Sequence, residues 1–240
     1  FESAERELGN VEKINQRLPS LWAMRAAIAH LDYEYDEKEK LRRKALQDWK
    51  SNPEVDYLIG DWLAKRMRFE DSAGHLRQAL KFDSDHLPSQ ILLAQNLLRL
   101  GEEEQARPML ELLHDRDPYN VPIYNLLTLF DEIAEYKYYR RDQFILRMET
   151  REAAVYGDQV AELIERAQKE MHARYGFQPE KPVLIEFFPE QQDFAVRTFG
   201  FVGGDGILGV CFGNVITINS PGGLGAKQTN WESTVWHEYA

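Results

Sequence analysis

The chain has 240 residues, 43% of them hydrophobic and 12% aromatic, which suffices for one large domain or two modest ones with a sizeable core. Its 40 acidic and 29 basic side chains give a formal net charge of -11, which opposes binding to nucleic-acid phosphates and anionic lipid surfaces. Apolar stretches fall far short of a membrane span, and the single cysteine, Cys211, excludes an internal disulfide. The chain begins at Phe1 without a signal peptide, so we expect a piece of a longer protein, in a compartment that the sequence leaves open.

Four prolines recur at a near-constant spacing in the first part of the chain. Pro19, Pro53, Pro88 and Pro122 are separated by 34, 35 and 34 residues. Each stands where an amphipathic helical pattern begins, and the fixed φ of proline suits the first turn of a helix. A period of roughly 20 to 50 residues is typical of a helical solenoid, although an irregular bundle with coincidental prolines is the alternative.

The stretch from Leu87 to Pro118 shows the repeat most clearly. It has a small residue in a first helix, Ala94, and a glycine at the turn, Gly101. A small residue, Ala106, follows early in the second helix, and Pro118 closes the unit. The residues at these four positions resemble the repeat pattern of the tetratricopeptide repeat family. The resemblance covers about residues 18 to 150, with further units that are more degraded.

The preceding unit matches the same pattern with one departure. Gly60, Ser72, Ala79 and Leu80 agree with it, but Met67 stands where the turn glycine is expected. The resemblance implies an α-α superhelical solenoid over residues 1–150, with a concave groove that binds a protein or peptide partner. Each groove residue that it implies could equally be an ordinary solvated helix residue. The candidate groove residues are Tyr57, Asp61, Lys65, Gln95, Arg99 and Asn125.

The segment Tyr136–Arg141 combines three tyrosines with three cations. It has two interpretations, an aromatic and basic binding strip or a helix whose tyrosines pack while its charges stay in water. We expect the helix.

Residues 151–240 have a different composition, which predicts a smaller and incomplete α+β domain. An amphipathic helix is predicted over Asp158–Tyr175 and a strand over Val183–Phe188. After a glycine-rich link, Gly213-Asn214 separates two apolar runs and indicates a tight β-hairpin. The whole chain is therefore predicted to be mostly α, with this second domain attached.

The glycine-rich link contains Gly204-Asp205-Gly206-Ile207-Leu208-Gly209, which has the spacing G-x-G-x-x-G. A dinucleotide site needs that motif to follow a strand and open a helix, because the pyrophosphate rests on the helix N-terminus. Here the glycines lead into a predicted strand and not into a helix. A nucleotide-dependent enzyme is therefore a disfavoured third possibility.

The last twelve residues carry the strongest chemical signal. Thr229-Asn230-Trp231-Glu232 has capping-box spacing and predicts a helix start. Along that helix, His237-Glu238-Tyr239-Ala240 supplies the first four residues of H-E-x-x-H. In that motif two histidines on one helix face bind Zn²⁺, and the glutamate polarises a zinc-bound water.

The order of hairpin, capped helix and His-Glu pair resembles the thermolysin-like zinc metallopeptidases, the gluzincins, and in particular the peptidase MA-like domains. The resemblance covers about residues 156–240 and implies that His237 is a zinc ligand and Glu238 the general base. In that family the edge strand of the hairpin pairs with the substrate backbone. The second histidine and the downstream acidic ligand have no counterpart here, so the domain is expected to be cut inside the motif helix.

These patterns lead to a functional prediction for a longer parent protein. We expect a tetratricopeptide-like scaffold followed by the front part of a zinc-dependent peptidase domain that hydrolyses peptide bonds. Five further histidines show no metal-ligand spacing, so this chain is expected to hold no zinc and to be inactive. The alternative is a non-catalytic scaffold whose second domain is a protein-binding module.

Overall fold

The computed structural model describes residues 2–204, 206–222 and 230–240. Over this part of the chain, helices fill the first 135 residues or so, and a mixed five-stranded sheet with three more helices follows. The chain divides into two compact units, Phe1–Met109 and Leu110–Ala240. A mostly helical region followed by a small α+β part confirms the broad fold class predicted above.

The first unit consists of helices of 11 to 14 residues that pack against their sequence neighbours. Helix α2 packs on α3 and α4, α4 packs on α5, and α5 packs on α6. Their contact faces bury side chains such as Leu21, Ile59 and Leu63. The helices are α1 (Glu2–Ile14), α2 (Pro19–Leu31), α3 (Tyr35–Ala45), α4 (Pro53–Lys65), α5 (Phe69–Phe82), α6 (Leu87–Arg99) and α7 (Glu103–Arg116), the last of which continues into the second unit.

The four periodic prolines mark helix starts, as predicted. Pro19 and Pro53 are the first residues of α2 and α4, while Pro88 and Pro122 are the second residues of α6 and α8 (Val121–Ile133). Proline is tolerated there because its missing N–H would have no helical acceptor. Before α4, the Asn52 side chain also accepts a hydrogen bond from the Glu54 backbone N–H at 3.1 Å.

Three helix ends repeat one turn geometry at intervals of 34 residues. Tyr33, Met67 and Gly101 have φ values of 63°, 60° and 76°, the left-handed conformation. In each case this residue donates to the carbonyl three positions back, and the next residue donates to the carbonyl five positions back. This pair of hydrogen bonds is the Schellman motif. Met67 therefore occupies the turn-glycine position with the backbone conformation that a glycine would have.

A buried polar contact shows how closely α4 and α5 approach. The Ser72 hydroxyl on α5 donates to the carbonyl of Gly60 on α4 at 2.6 Å, and Asn96 Nδ2 on α6 donates to Ser72 Oγ at 2.7 Å. A Cβ added at Gly60 would lie 3.0 Å from Leu76 Cγ, so the small residue permits the close packing.

The second unit contains the sheet. Its helices α8, α9 (Thr150–Tyr175), α10 (Gln191–Phe199) and α11 (Trp231–Tyr239) surround strands β1 (Lys137–Arg140), β2 (Phe144–Met148), β3 (Val183–Phe188), β4 (Gly209–Phe212) and β5 (Val215–Asn219). The strand order is β1-β2-β3-β5-β4. The three central strands are parallel, and the two edge strands run antiparallel to their neighbours.

The two faces of the sheet have different characters. Alternate residues of the central strands, among them Phe144, Ile185 and Ile216, join the core formed with α9 and with Val235 of α11. On the other face, where α10 packs, the registered residues of four adjacent strands are polar. This row consists of Tyr138, Arg147, Glu186 and Thr217.

The helix predicted at Asp158–Tyr175, the strand at Val183–Phe188 and the hairpin at Gly213-Asn214 are all present, although α9 already begins at Thr150. The helical interpretation of Tyr136–Arg141 is wrong, because this segment forms edge strand β1 and buries Tyr139 against α9. Strands β1 and β2 and helix α10 lay outside the predicted elements. The predicted domain boundary at residue 150 thus falls directly after β2.

Candidate functional site

Helix α11 carries the His-Glu pair and begins at Trp231, so its N-cap is one residue later than the Thr229 that the capping-box spacing predicts. Asn230 is the N-cap, and its side-chain oxygen accepts from the Ser233 backbone N–H at 3.0 Å. Thr229, the first residue of the predicted capping box, lies outside the described residues. The helix packs on α9 and on the hairpin strands β4 and β5. His237 and Glu238 therefore lie in its last turn, beside the edge of the sheet.

Glu238 lies directly against edge strand β4, whereas His237 is exposed to solvent. A Cβ built on Gly209 would lie 2.9 Å from Glu238 Cγ and 2.8 Å from Thr234 Cγ2. Only a glycine lets the helix approach the strand this closely. Burial, together with the negative charge of Glu238, raises the pKa of the Cys211 thiol on the same strand.

Within the described residues, the backbone of β4 has no strand partner on the side away from β5. Among the described residues, β4 pairs with β5 alone. The Asn219 N–H donates to the Leu208 carbonyl at 2.9 Å, which fixes the hydrogen-bonded pairs of this antiparallel ladder as 208/219, 210/217 and 212/215. Gly209 and Cys211 therefore direct their N–H and C=O groups towards the open edge.

A pocket of about 580 Å³ opens beside Glu238, entirely within the second unit. Its walls combine apolar and aromatic side chains with amides, which is the usual lining of a site for a partly apolar ligand or side chain. The pocket is lined by Gln143, Gln168, Lys169, Met171, His172, Tyr175, Phe177, Gln178, Pro179, Val183, Cys211, Gly213, Asn214, Ile216, Glu238, Tyr239 and Ala240.

The described residues supply only part of what a zinc site requires. Within residues 2–204, 206–222 and 230–240, no group of three His, Cys, Asp or Glu side chains is placed to hold a metal ion. A catalytic zinc needs three protein ligands and a water. The side chains present around His237 thus do not fit a complete zinc centre, and no catalytic step through a metal follows from them.

Three of the six candidate groove residues lie together in the first unit. Tyr57, Asp61 and Gln95 line a shallow pocket of about 410 Å³ between α4 and α6. Burial, followed by the charges of Asp61 and Glu54, raises the pKa of Tyr57. The remaining wall of the pocket is apolar. It consists of Leu87, Pro88, Ile91 and Leu92.

The other three candidates do not line this pocket. Lys65 forms an ion pair with Asp61 at 2.6 Å, one helical turn away. The Arg99 guanidinium lies 5.0 Å from the centre of the Phe69 ring, and burial lowers the pKa of Arg99. Asn125 is half-buried on α8, in the second unit.

Sequence reasoning missed Gly209 and Cys211 as neighbours of Glu238. The hairpin prediction contained the necessary signal, because the two-residue turn fixes which β4 residues direct their backbone outwards. No pattern in the sequence predicted that α11 packs on that strand.

Comparison with known proteins adds no assignment: no family model matches the chain, and searches of curated proteins and of solved structures found no match. No helix in the described part of the chain has both the length and the apolar character needed to cross a membrane.

Proposed function

We propose that the chain joins a helical, protein-binding region to the front part of a zinc-dependent peptidase domain. The observation that carries the proposal is the placement of Glu238 beside an open edge strand, on the helix that carries His237. A glutamate next to unpaired strand backbone is an arrangement that a zinc-dependent peptidase would use, with the strand holding the peptide and the glutamate polarising a metal-bound water.

The geometry around β4 suits an extended peptide. Such a peptide would add to the sheet by bonding to the outward backbone groups of Gly209 and Cys211. Its side chains would alternate in direction, so that one set would reach the pocket lined by Cys211, Tyr239 and Tyr175. The lining also contains Lys169, His172 and Glu238, so it favours a peptide side chain with both an apolar and a polar part at that position.

The helical region supplies the proposed partner-binding function. Helix starts at the periodic prolines and identical turns at Tyr33, Met67 and Gly101 support a solenoid of the tetratricopeptide type. In that arrangement, the pocket that contains Tyr57, Asp61 and Gln95 would belong to the partner-binding surface. The role proposed for it is to recruit or orient a protein substrate.

The remaining zinc ligands are assigned to a longer protein. The proposal places the second histidine of the motif directly after Ala240 and an acidic ligand further along the chain. In such a protein the metal would lower the pKa of a bound water, and Glu238 would accept a proton from it. His237 would hold the metal through its exposed imidazole.

The test uses a longer chain that includes the residues after Ala240, in parallel with its Glu238→Gln and Glu232→Gln variants. Glu232 lies on the same helix but is exposed in the first turn, so its variant is the matched control. Zinc content is measured by elemental analysis, and turnover with a quenched-fluorescence peptide library. One zinc per chain, with turnover lost only in Glu238→Gln, would support the peptidase.

A non-catalytic scaffold is the second candidate, favoured by the lack of a three-ligand group among the described residues. In that case, the pocket beside Glu238 binds a peptide without cleaving it. The same experiment separates the two functions. Absence of both zinc and turnover, with retained peptide binding that Tyr239→Ala weakens, would support the scaffold and exclude the peptidase.

A further inference from the structure

The edge of the sheet opposite β4 has unpaired backbone groups. Strand β1 pairs with β2 alone among the described residues. The Arg141 N–H donates to the Phe144 carbonyl at 2.9 Å, so the hydrogen-bonded pairs of this ladder are 141/144, 139/146 and 137/148. Tyr138 and Arg140 therefore direct their backbone groups away from β2. The Arg140 carbonyl accepts from the Arg141 guanidinium at 3.2 Å. The Arg140 N–H and both backbone groups of Tyr138 have no hydrogen-bond partner in the part of the chain that the structure describes.

Cations flank this edge on both faces of the sheet. Lys137 and Arg141 share the face of the buried Tyr139, and Arg140 shares the opposite face with Tyr138. Ring contacts hold two of the cations at the edge. Lys137 Nζ lies 4.7 Å from the Tyr139 ring centre, and the Arg140 guanidinium lies 5.3 Å from the Tyr138 ring centre.

Only one of these three cations has an acidic partner in the described part of the chain. Arg141 Nε lies 3.1 Å from Glu165 Oε1 on α9, whereas Lys137 and Arg140 form no ion pair there. Residues 110–240 contain 20 acidic against 12 basic residues, so this basic edge stands out against the charge of its unit. The local charge favours an acidic occupant.

Other occupants of the edge are disfavoured by the same charges. A second copy of the chain paired antiparallel on β1 about Tyr139 would place Lys137 opposite the like charge of Arg141, which is destabilising. A purely apolar segment would bring no counter-charge to Lys137 and Arg140.

We propose that the open edge of β1 binds an extended acidic peptide by strand addition. The peptide bonds to the backbone of Tyr138 and to the Arg140 N–H, and its carboxylates face Lys137 and Arg141 on one side of the sheet and Arg140 on the other. This site lies at the opposite end of the strand order from Glu238 and does not depend on the proposed peptidase function.

The test measures fluorescence anisotropy of a labelled octapeptide built of glutamate and threonine, titrated with the 240-residue chain. The same octapeptide with N-methyl groups on alternate residues keeps the charge but cannot complete the strand hydrogen bonds. A lysine-for-glutamate octapeptide and a single-stranded oligonucleotide of similar charge complete the probe set. Binding of the acidic peptide, reduced about tenfold or more by N-methylation, is expected.

Variants of Arg140 separate charge from backbone. Arg140→Gln removes only the cation and is expected to weaken binding about two- to five-fold. Arg140→Pro also removes the outward N–H, which β2 does not use, and is expected to weaken binding further. Arg151→Gln, an exposed arginine in the first turn of α9, is the matched control and should bind as the parent does.

Several outcomes would overturn the proposal. The first is that the acidic peptide does not bind, or binds no better than its N-methylated form. The second is that the oligonucleotide binds as tightly as the acidic peptide. The third is that Arg151→Gln loses as much peptide affinity as Arg140→Gln. If Arg140→Pro disturbs the fold by circular dichroism, the N-methylated peptide still decides the question, because it leaves the protein unchanged.

Discussion

Arg147 and Glu186 are direct neighbours on β2 and β3, and their side chains are 3% and 0% exposed. Arg147 Nε donates to Glu186 Oε1 at 2.9 Å, and Arg147 Nη1 donates to the Tyr138 hydroxyl at 3.0 Å. From α10, Arg197 Nε lies 2.8 Å from Glu186 Oε2, close enough for an ion pair although it is not aligned as a hydrogen bond. A single buried carboxylate thus links two strands to the helix that covers them.

Glu186→Gln should therefore destabilise the second unit strongly. Removing one partner of a buried ion pair leaves charge uncompensated in a medium of low polarity, at a cost of about 3–5 kcal/mol. The free energy of unfolding is measured by urea denaturation. Glu165→Gln removes the exposed partner of Arg141 and is expected to cost less than about 1 kcal/mol. An equal loss of unfolding free energy in the two variants would show that burial of the ion pair does not set the size of the loss.

Met67→Gly should stabilise the first unit. Met67 has φ of 60° and is 61% exposed as a residue, so the substitution relieves left-handed strain while losing little packing. The expected gain is about 1 kcal/mol, reduced by the larger entropy of glycine in the unfolded chain. Met67→Ala keeps the Cβ and should show no such gain. Gly101→Ala, at the equivalent turn, should instead cost about 1 kcal/mol in thermal or urea unfolding.

Gly209→Ala should weaken the packing of α11 on β4. The new Cβ would lie 2.8 Å from Thr234 Cγ2, so the helix must shift, at a cost of about 1–3 kcal/mol. Thr234→Ala removes that methyl group and should recover part of the loss when combined with Gly209→Ala. The free energies of unfolding in urea of the parent, the two single variants and the double variant together form a double-mutant cycle. Additive losses would contradict direct contact at this position.

Asp193 should make stability depend on pH in an unusual direction. Burial, followed by the charges of Glu132 and Glu190, raises the pKa of Asp193 to about 6. Between about pH 4 and pH 6 the folded state then holds its proton while the unfolded state does not, so acidification through this range stabilises the protein through Asp193.

Asp193→Asn tests this dependence. The substitution should raise the free energy of unfolding by about 1–2 kcal/mol at pH 7. At that pH the Asp193 carboxylate is ionised in both states, and its charge destabilises only the folded state, where it is partly buried. The gain should shrink as the pH falls towards about 4 and vanish below it, because Asp193 then becomes protonated in the unfolded state as well as in the folded state. Urea unfolding from pH 4 to 7.5 measures the gain in the free energy of unfolding at each pH. The exposed Asp142→Asn is the control, and a pH-independent gain at Asp193 would contradict the assigned cause.

Part of the fold followed from sequence patterns that act locally. The strand Val183–Phe188, the turn at Gly213-Asn214 and the helix starts at the periodic prolines rest on backbone preferences that neighbouring residues alone set. The tyrosine-rich segment Tyr136–Arg141 was misassigned, because whether it forms a strand depends on β2, which lies later in the chain. The polar residues Arg147 and Glu186 are separated by 39 positions, so their pairing had no local signal.

The sequence by itself determined the repeat spacing, the hairpin and the helix that carries His237 and Glu238, because each depends on periodicity, turn chemistry or capping within a short window. The tertiary structure alone decided that Glu238 lies against Gly209 and that Glu186 lies between two arginines. It also decided that β4 and β1 are the edge strands, each paired with a single strand in the part of the chain that the structure describes. These relationships arise when segments far apart in the chain bury their apolar faces together. The register of the strands and the close approach of α11 to β4 therefore depend on the packing of the whole unit.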